Sequence, residues 1–149
     1  MTYDRIFSSF YPLINDPDFF KKSSDDAYEL MTEWLHRAVA NTYIRKLFRH
    51  ISLDDEIMEL DYELVNSDGG ESDDDFVISV LSQFMVIQWL RPKVDRQVNL
   101  ARIIGGKEEK NLQSNYKTNI ERLDSLELQL RKYIRDRGTE FNSYLNGGE

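Results

Sequence analysis

The chain of 149 residues contains no cysteine. Disulfide frameworks, thiolate zinc sites and cysteine nucleophiles are therefore excluded, and the fold must rest on packing. Histidine is almost as scarce. His36 and His50 have no serine or carboxylate at a spacing that suggests a relay, so no catalytic residue is assigned. Gly105-Gly106-Lys107 lacks the upstream glycine and following Ser or Thr of a phosphate loop, and reads as a helix stop. The acidic run over 66–75 lacks the alternating ligands and distal Glu of a calcium loop. No cofactor and no metal is expected. No stretch reaches the roughly 18 apolar residues of a membrane span, and MTYDRIFSSF is not a secretory leader, so the expectation is a soluble chain that stays in the cytosol.

What is present is charge, and it is segregated. The formal net charge is −8, but residues 51–75 hold eleven Asp or Glu and no Lys or Arg, whereas residues 91–137 hold twelve Lys or Arg against seven acids. Such a chain is either a solvated monomer or a subunit that meets its own copies acidic edge to basic edge. The candidate inter-subunit contacts are Asp54, Asp61, Asp73 and Asp74 on one side and Arg91, Lys93, Arg96 and Arg102 on the other. The acidic total and the interleaved acids argue against duplex binding by the basic cluster.

Hydrophobic spacing predicts a mainly α fold, a bundle of about four helices with a short extended segment and an acidic loop. Thr2 caps a first helix that Pro12 and Asn15-Asp16-Pro17 end, with Phe7, Phe10, Leu13 and Ile14 as its apolar face. Ser24 opens a second helix running to about Arg49. Met58, Leu60, Tyr62 and Leu64 alternate with Glu59, Asp61 and Glu63, the period of a half-buried strand; no second strand is evident, which makes pairing with another chain attractive. The acidic segment 66–75 reads as a flexible loop. A nearly all-apolar helix begins at Phe76 and is kinked or restarted at Pro92. A final helix runs from about Asn111 to Arg137 and stops at Gly138. The predicted core draws on Trp34, Leu35, Phe76, Val80, Phe84, Ile87, Ile120, Leu123 and Leu130. The division is a helical domain over 1–138 and a flexible tail over 139–149, whose Phe141, Tyr144 and Leu145 are apolar anchors too few to bury themselves.

The run FVISVLSQFMVIQWLRPKV over 76–94, the glycine-lysine-acid turn over 105–109, Ser114-Asn115-Tyr116 and the charged terminal helix together resemble the head-to-tail adaptors, or connectors, of long-tailed bacteriophages. The likeness covers residues 76–137 well and the N-terminal half only by its arrangement of helices; the acidic segment is longer than in that family. The resemblance implies a homo-oligomer, a twelvefold ring under the portal protein that receives a stopper or tail-completion protein on its other side and lets DNA pass without sequence-specific binding. It implies a location in the virion neck after assembly in the host cytoplasm, with no membrane. It also assigns portal binding to the C-terminal end, through Arg135, Arg137, Phe141, Tyr144 and Leu145. The rival reading is a helical regulatory or scaffold protein that binds a host or phage partner.

Overall fold

The computed structural model describes residues 1–141, with the side chains of 108, 109 and 111–116 excepted. Six helices and one two-stranded sheet make up the described residues, a mainly α fold. Helix α1 (Tyr3–Phe10) buries Tyr3, Ile6, Phe7 and Phe10, the spacing of one helical face. Thr2 stands at its N-cap position, but its side chain makes no capping hydrogen bond. After a 3-10 turn at Tyr11–Leu13, Asp16 caps the single turn of α2 (Pro17–Phe20), accepting the Phe19 N–H at 3.1 Å.

Helix α3 (Ser24–Ala40) is capped by Ser23, one residue earlier than expected, and buries Met31, Leu35, Ala38 and Val39. It does not reach Arg49. Asn41 leaves helical geometry (φ −64°, ψ 130°), and its Oδ1 accepts the N–H groups of Tyr43 at 2.9 Å and Ile44 at 3.4 Å, starting α4 (Thr42–Arg45). An asparagine that caps a new helix in this way breaks the old one. Asn41→Ala should therefore lower stability by about 1 kcal/mol, measured as a shifted midpoint in chemical denaturation with an unchanged slope.

The alternating segment is a strand, but its partner lies within the chain. β1 (Phe48–Asp54) and β2 (Glu59–Leu64) form an antiparallel hairpin pairing Ile51 with Tyr62 and Leu53 with Leu60, with an irregularity between Phe48 and His50. Asp54 accepts the Glu56 N–H at 3.0 Å to shape the turn, and Met58 closes it at φ 55°. The N-terminus lies along β2. Leu60 N–H donates to the Met1 carbonyl at 2.7 Å, the Met1 ammonium to the Leu60 carbonyl at 2.9 Å, and Tyr3 N–H to the Met58 carbonyl at 2.8 Å. The outer edge of β2 is thus met at its start, and β2 as a whole finds its strand partner in β1, which removes the reason to seek one from another chain.

Two 35-residue helices complete the fold. α5 (Gly70–Ile104) begins inside the expected acidic loop and continues through Pro92 without a restart. Val77, Val80, Leu81, Met85, Val86, Ile87 and Leu90 are buried around its whole circumference, which makes it the central element. Gly105 and Gly106 (φ 66° and 68°) supply the left-handed conformations that turn the chain straight into α6 (Gly106–Glu140). α6 starts before Asn111 and passes through Gly138, so the expected boundary at 138/139 falls inside a helix. Of the predicted core, Leu35, Phe76, Val80, Phe84, Ile87 and Leu130 are buried, and Trp34, Ile120 and Leu123 are partly buried against them.

Candidate assembly surface

The residues of α5 that build the core stop at Val94; beyond it only Ala101 is buried. α1 and α3 pack on the earlier part of the helix, and the later part runs alongside α6, where the Asn119 amide donates to Gln97 Oε1 at 3.1 Å. The turn at Gly105–Gly106 is therefore the tip of an arm. Leu100, Ile103 and Ile104 lie on one face of it at 46%, 81% and 42% exposure, with Arg96, Arg102, Lys107 and Lys110 exposed around them. Residues three and four apart share a helix face, so this is one apolar stripe in a basic frame.

At the opposite end of the α5–α6 pair, charge is used internally. Asp73 and Arg137 form an ion pair at 2.9 Å with only 10% and 12% of the two side chains exposed. The Asp73 carboxylate also accepts from the Ser67 hydroxyl, the Asp68 N–H at 2.8 Å and the Gly69 N–H at 3.2 Å, while Arg137 donates to the Asn66 carbonyl at 3.3 Å. Arg137 stacks over Phe76 at 4.2 Å and over Phe141 at 5.2 Å. Burial pushes the Asp73 carboxyl up, but the Ser67 hydroxyl, the two backbone donors and the Arg137 charge outweigh it and hold the group below its ordinary value. This clasp fastens the end of α6 to the start of α5.

Asp74 beside it is held by the Tyr62 hydroxyl and, at 2.6 Å, by Arg5; the hydroxyl first and the guanidinium after it outweigh burial and hold its pKa below the ordinary carboxyl value. Lys93 reaches Asp16 at 3.1 Å, where the Trp89 indole N–H also donates at 2.9 Å; Lys93 and Arg122 both lie over the Trp89 ring. Arg91 pairs with Glu127. Four of the eight charges predicted to meet a neighbour, Asp73, Asp74, Arg91 and Lys93, are thus engaged within the chain. Asp54 shapes the hairpin turn and Asp61 faces His50 at 3.7 Å, both exposed. Arg96 and Arg102 make no ion pair among the described residues. Arg135 is exposed on α6. Tyr144 and Leu145 lie outside the described residues.

Two features were not visible in the sequence. Asp55 in the hairpin turn accepts the Tyr3 hydroxyl at 2.6 Å and approaches His36 Nε2 at 2.9 Å; these two contacts, the tyrosine first, lower its pKa and tie the hairpin to α1 and α3. The second is an open groove of about 530 Å³ on the outer side of α1, α2 and α3. Phe7, Tyr11, Phe19, Phe20 and Tyr28 line it, with Tyr11 and Phe20 ring centroids 4.8 Å apart and Phe7 edge-on to Tyr28 at 5.6 Å. The signal was the aromatic density of residues 7–28, which the periodicity of a short helix does not resolve into inward and outward faces. The chain matches no protein-family model, no curated protein and no solved structure.

Proposed function

We propose that this chain is a structural head-to-tail adaptor, a subunit that forms a ring with its own copies under the portal of a tailed phage and joins it to a stopper or tail. The observation that carries the reading is the α5–α6 arm. Two helices of this length span about 50 Å at 1.5 Å per residue, and in α5 the stretch beyond Val94 buries only Ala101. An exposed apolar stripe in a basic frame suits a neighbour's surface. The resemblance to the phage adaptors falls mainly on these two helices, which adds to the reading. The portal contact is assigned to the C-terminal end, where exposed Arg135 is available and Arg137 holds the clasp.

The mass of the purified chain, alone and with the phage's portal protein, tests this. A ring of about twelve copies is expected on the portal, and a chain that stays monomeric in both settings overturns the proposal. The arm makes its own prediction. Arg96→Glu with Arg102→Glu should weaken self-association, most strongly at low salt, because exposed charges are screened within about 10 Å at 0.1 M salt. An oligomer mass that is the same for both proteins at low and high salt would reject a charge-guided contact.

A further inference from the structure

The apolar stripe on the arm is framed by bases and by nothing else: residues 96–107 hold Arg96, Arg102 and Lys107 and no acid. Whatever covers Leu100, Ile103 and Ile104 must therefore answer a positive charge. The same stripe on a second copy would set like charges against each other. The aromatic groove over α1, α2 and α3 has Lys22 in its lining, and its Asp4 already accepts from the Tyr28 hydroxyl. A third surface differs from both. Where the start of α5 meets the end of α6, a cavity of about 480 Å³ is lined by four carboxylates, Asp68, Asp75, Asp136 and Glu140. Its single base, Arg137, is already paired with Asp73, whereas Asp68, Asp75 and Asp136 are exposed and make no ion pair among the described residues. Phe76 and Tyr133, with ring centroids 5.7 Å apart, give it an apolar wall, and Tyr133 is 38% exposed. Residues 142–149 of the same chain carry no Lys or Arg with which to meet these acids.

From this match we infer that the cavity between the start of α5 and the end of α6 seats the arm tip of a second copy of this chain, with Ile103 against the Tyr133 wall and Arg102 beside the carboxylates. The inference rests on the proposed ring and names the contact that builds it. Tip and seat lie at opposite ends of one pair of helices, so the contact is head-to-tail. It leaves a free tip and a free seat after every addition, and ends only by closing into a ring or growing into a filament. Two identical faces would stop at a dimer. The aromatic wall supplies rigid contact area for the stripe, while the exposed charges choose the partner and fix its orientation.

Because the chain has no cysteine, the contact can be read with single thiols at exposed positions. One preparation carries Asn99→Cys, three or four residues from Arg96, Arg102 and Ile103 and so on their face of the arm; the other carries Ser72→Cys, a near-isosteric change in the lining of the cavity. Both sites are exposed, so folding should be unaffected. The two are mixed and oxidised with copper-phenanthroline, and the products are sized under denaturing conditions, with the mass of the unmodified chain measured alongside. The expected result is a mixed disulfide in several-fold excess over either self-pairing, reduced by high salt, by adding Arg102→Glu to the arm partner, and by adding Asp75→Asn with Asp136→Asn to the cavity partner. Ser8→Cys in the aromatic groove, used in place of Ser72→Cys, should give no excess. An excess at Ser8, or a dominant self-pairing of Asn99→Cys, overturns the inference by placing the tip in the groove or against another arm. An excess at Ser72 that neither salt nor the charge substitutions reduce overturns the charge match that selects the seat. If the unmodified chain assembles but no mixed product is in excess, the cavity holds something else, the chain's own residues 142–149 or the portal, and the inference falls while the ring stands. If the unmodified chain never assembles, alone or on portal, and no excess forms, the ring reading and this inference fall together.

Discussion

Replacing Asp73 by alanine should cost about 3–5 kcal/mol of folding stability, because it leaves the Arg137 guanidinium buried without its counter-charge and strips the backbone donors of Asp68 and Gly69 of their acceptor. Chemical denaturation at neutral pH measures it. The same experiment on Asp73→Asn, which keeps an acceptor for the loop but not the charge, should give a smaller loss. A loss below about 1 kcal/mol for the alanine variant would mean that the end of α6 is held by its apolar contacts alone. Acid adds a second reading. The Asp73 group titrates below its ordinary value in the folded chain, so its contribution is fully present above the unfolded value near pH 4 and is lost as pH falls through the lower, folded value. The wild type should therefore lose stability more steeply than Asp73→Ala as pH drops below about 4. The difference will be partial, since Asp16, Asp55 and Asp74 are depressed as well.

Phe10→Ala should be as damaging, by about 3–5 kcal/mol. Phe10 is fully buried, packs on Trp34 with ring centroids 5.5 Å apart, and sits where α1 meets the rest of the core. Thermal and denaturant unfolding should both report it, and a variant within about 1 kcal/mol of wild type would place α1 outside the cooperative unit. The two substitutions probe different contacts of the fold. Phe10 tests the layer that α1 and α3 lay over α5, and Asp73 tests the closure of the long helices.

The elements that the sequence revealed are those whose burial has a period. The stripe of α5 from Phe76 to Leu90, the faces of α1 and α6 and the alternation of β2 all follow from which side of an element meets the core. β1 escaped because Ile44, Leu47 and Phe48 happen to share helical spacing with α3, while the irregularity between Phe48 and His50 hides its own alternation. Gly138 failed as a helix stop for a related reason. A glycine costs a helix about 1 kcal/mol, and the anchored Arg137 one residue earlier holds the last turn in place. Of the surface, the arm's basic composition was legible. Which charges are already taken was not, since Asp73 and Arg137 stand 64 residues apart and Asp16 and Trp89 stand 73 apart, distances that a single sequence cannot close. Phe141, expected to anchor a partner, lies under the Arg137 guanidinium at 5.2 Å, a contact that spacing alone does not show.

The paired long helices also make a lever. The clasp and the core hold α5 as far as Val94, and the Gly105–Gly106 turn lies roughly 16 Å beyond it, so a tilt of about 5° at the held part carries the tip through about 1.5 Å. Pro92 sits between the two ends and cannot supply the N–H that the preceding turn of α5 would otherwise use, which concentrates bending there rather than spreading it along the helix.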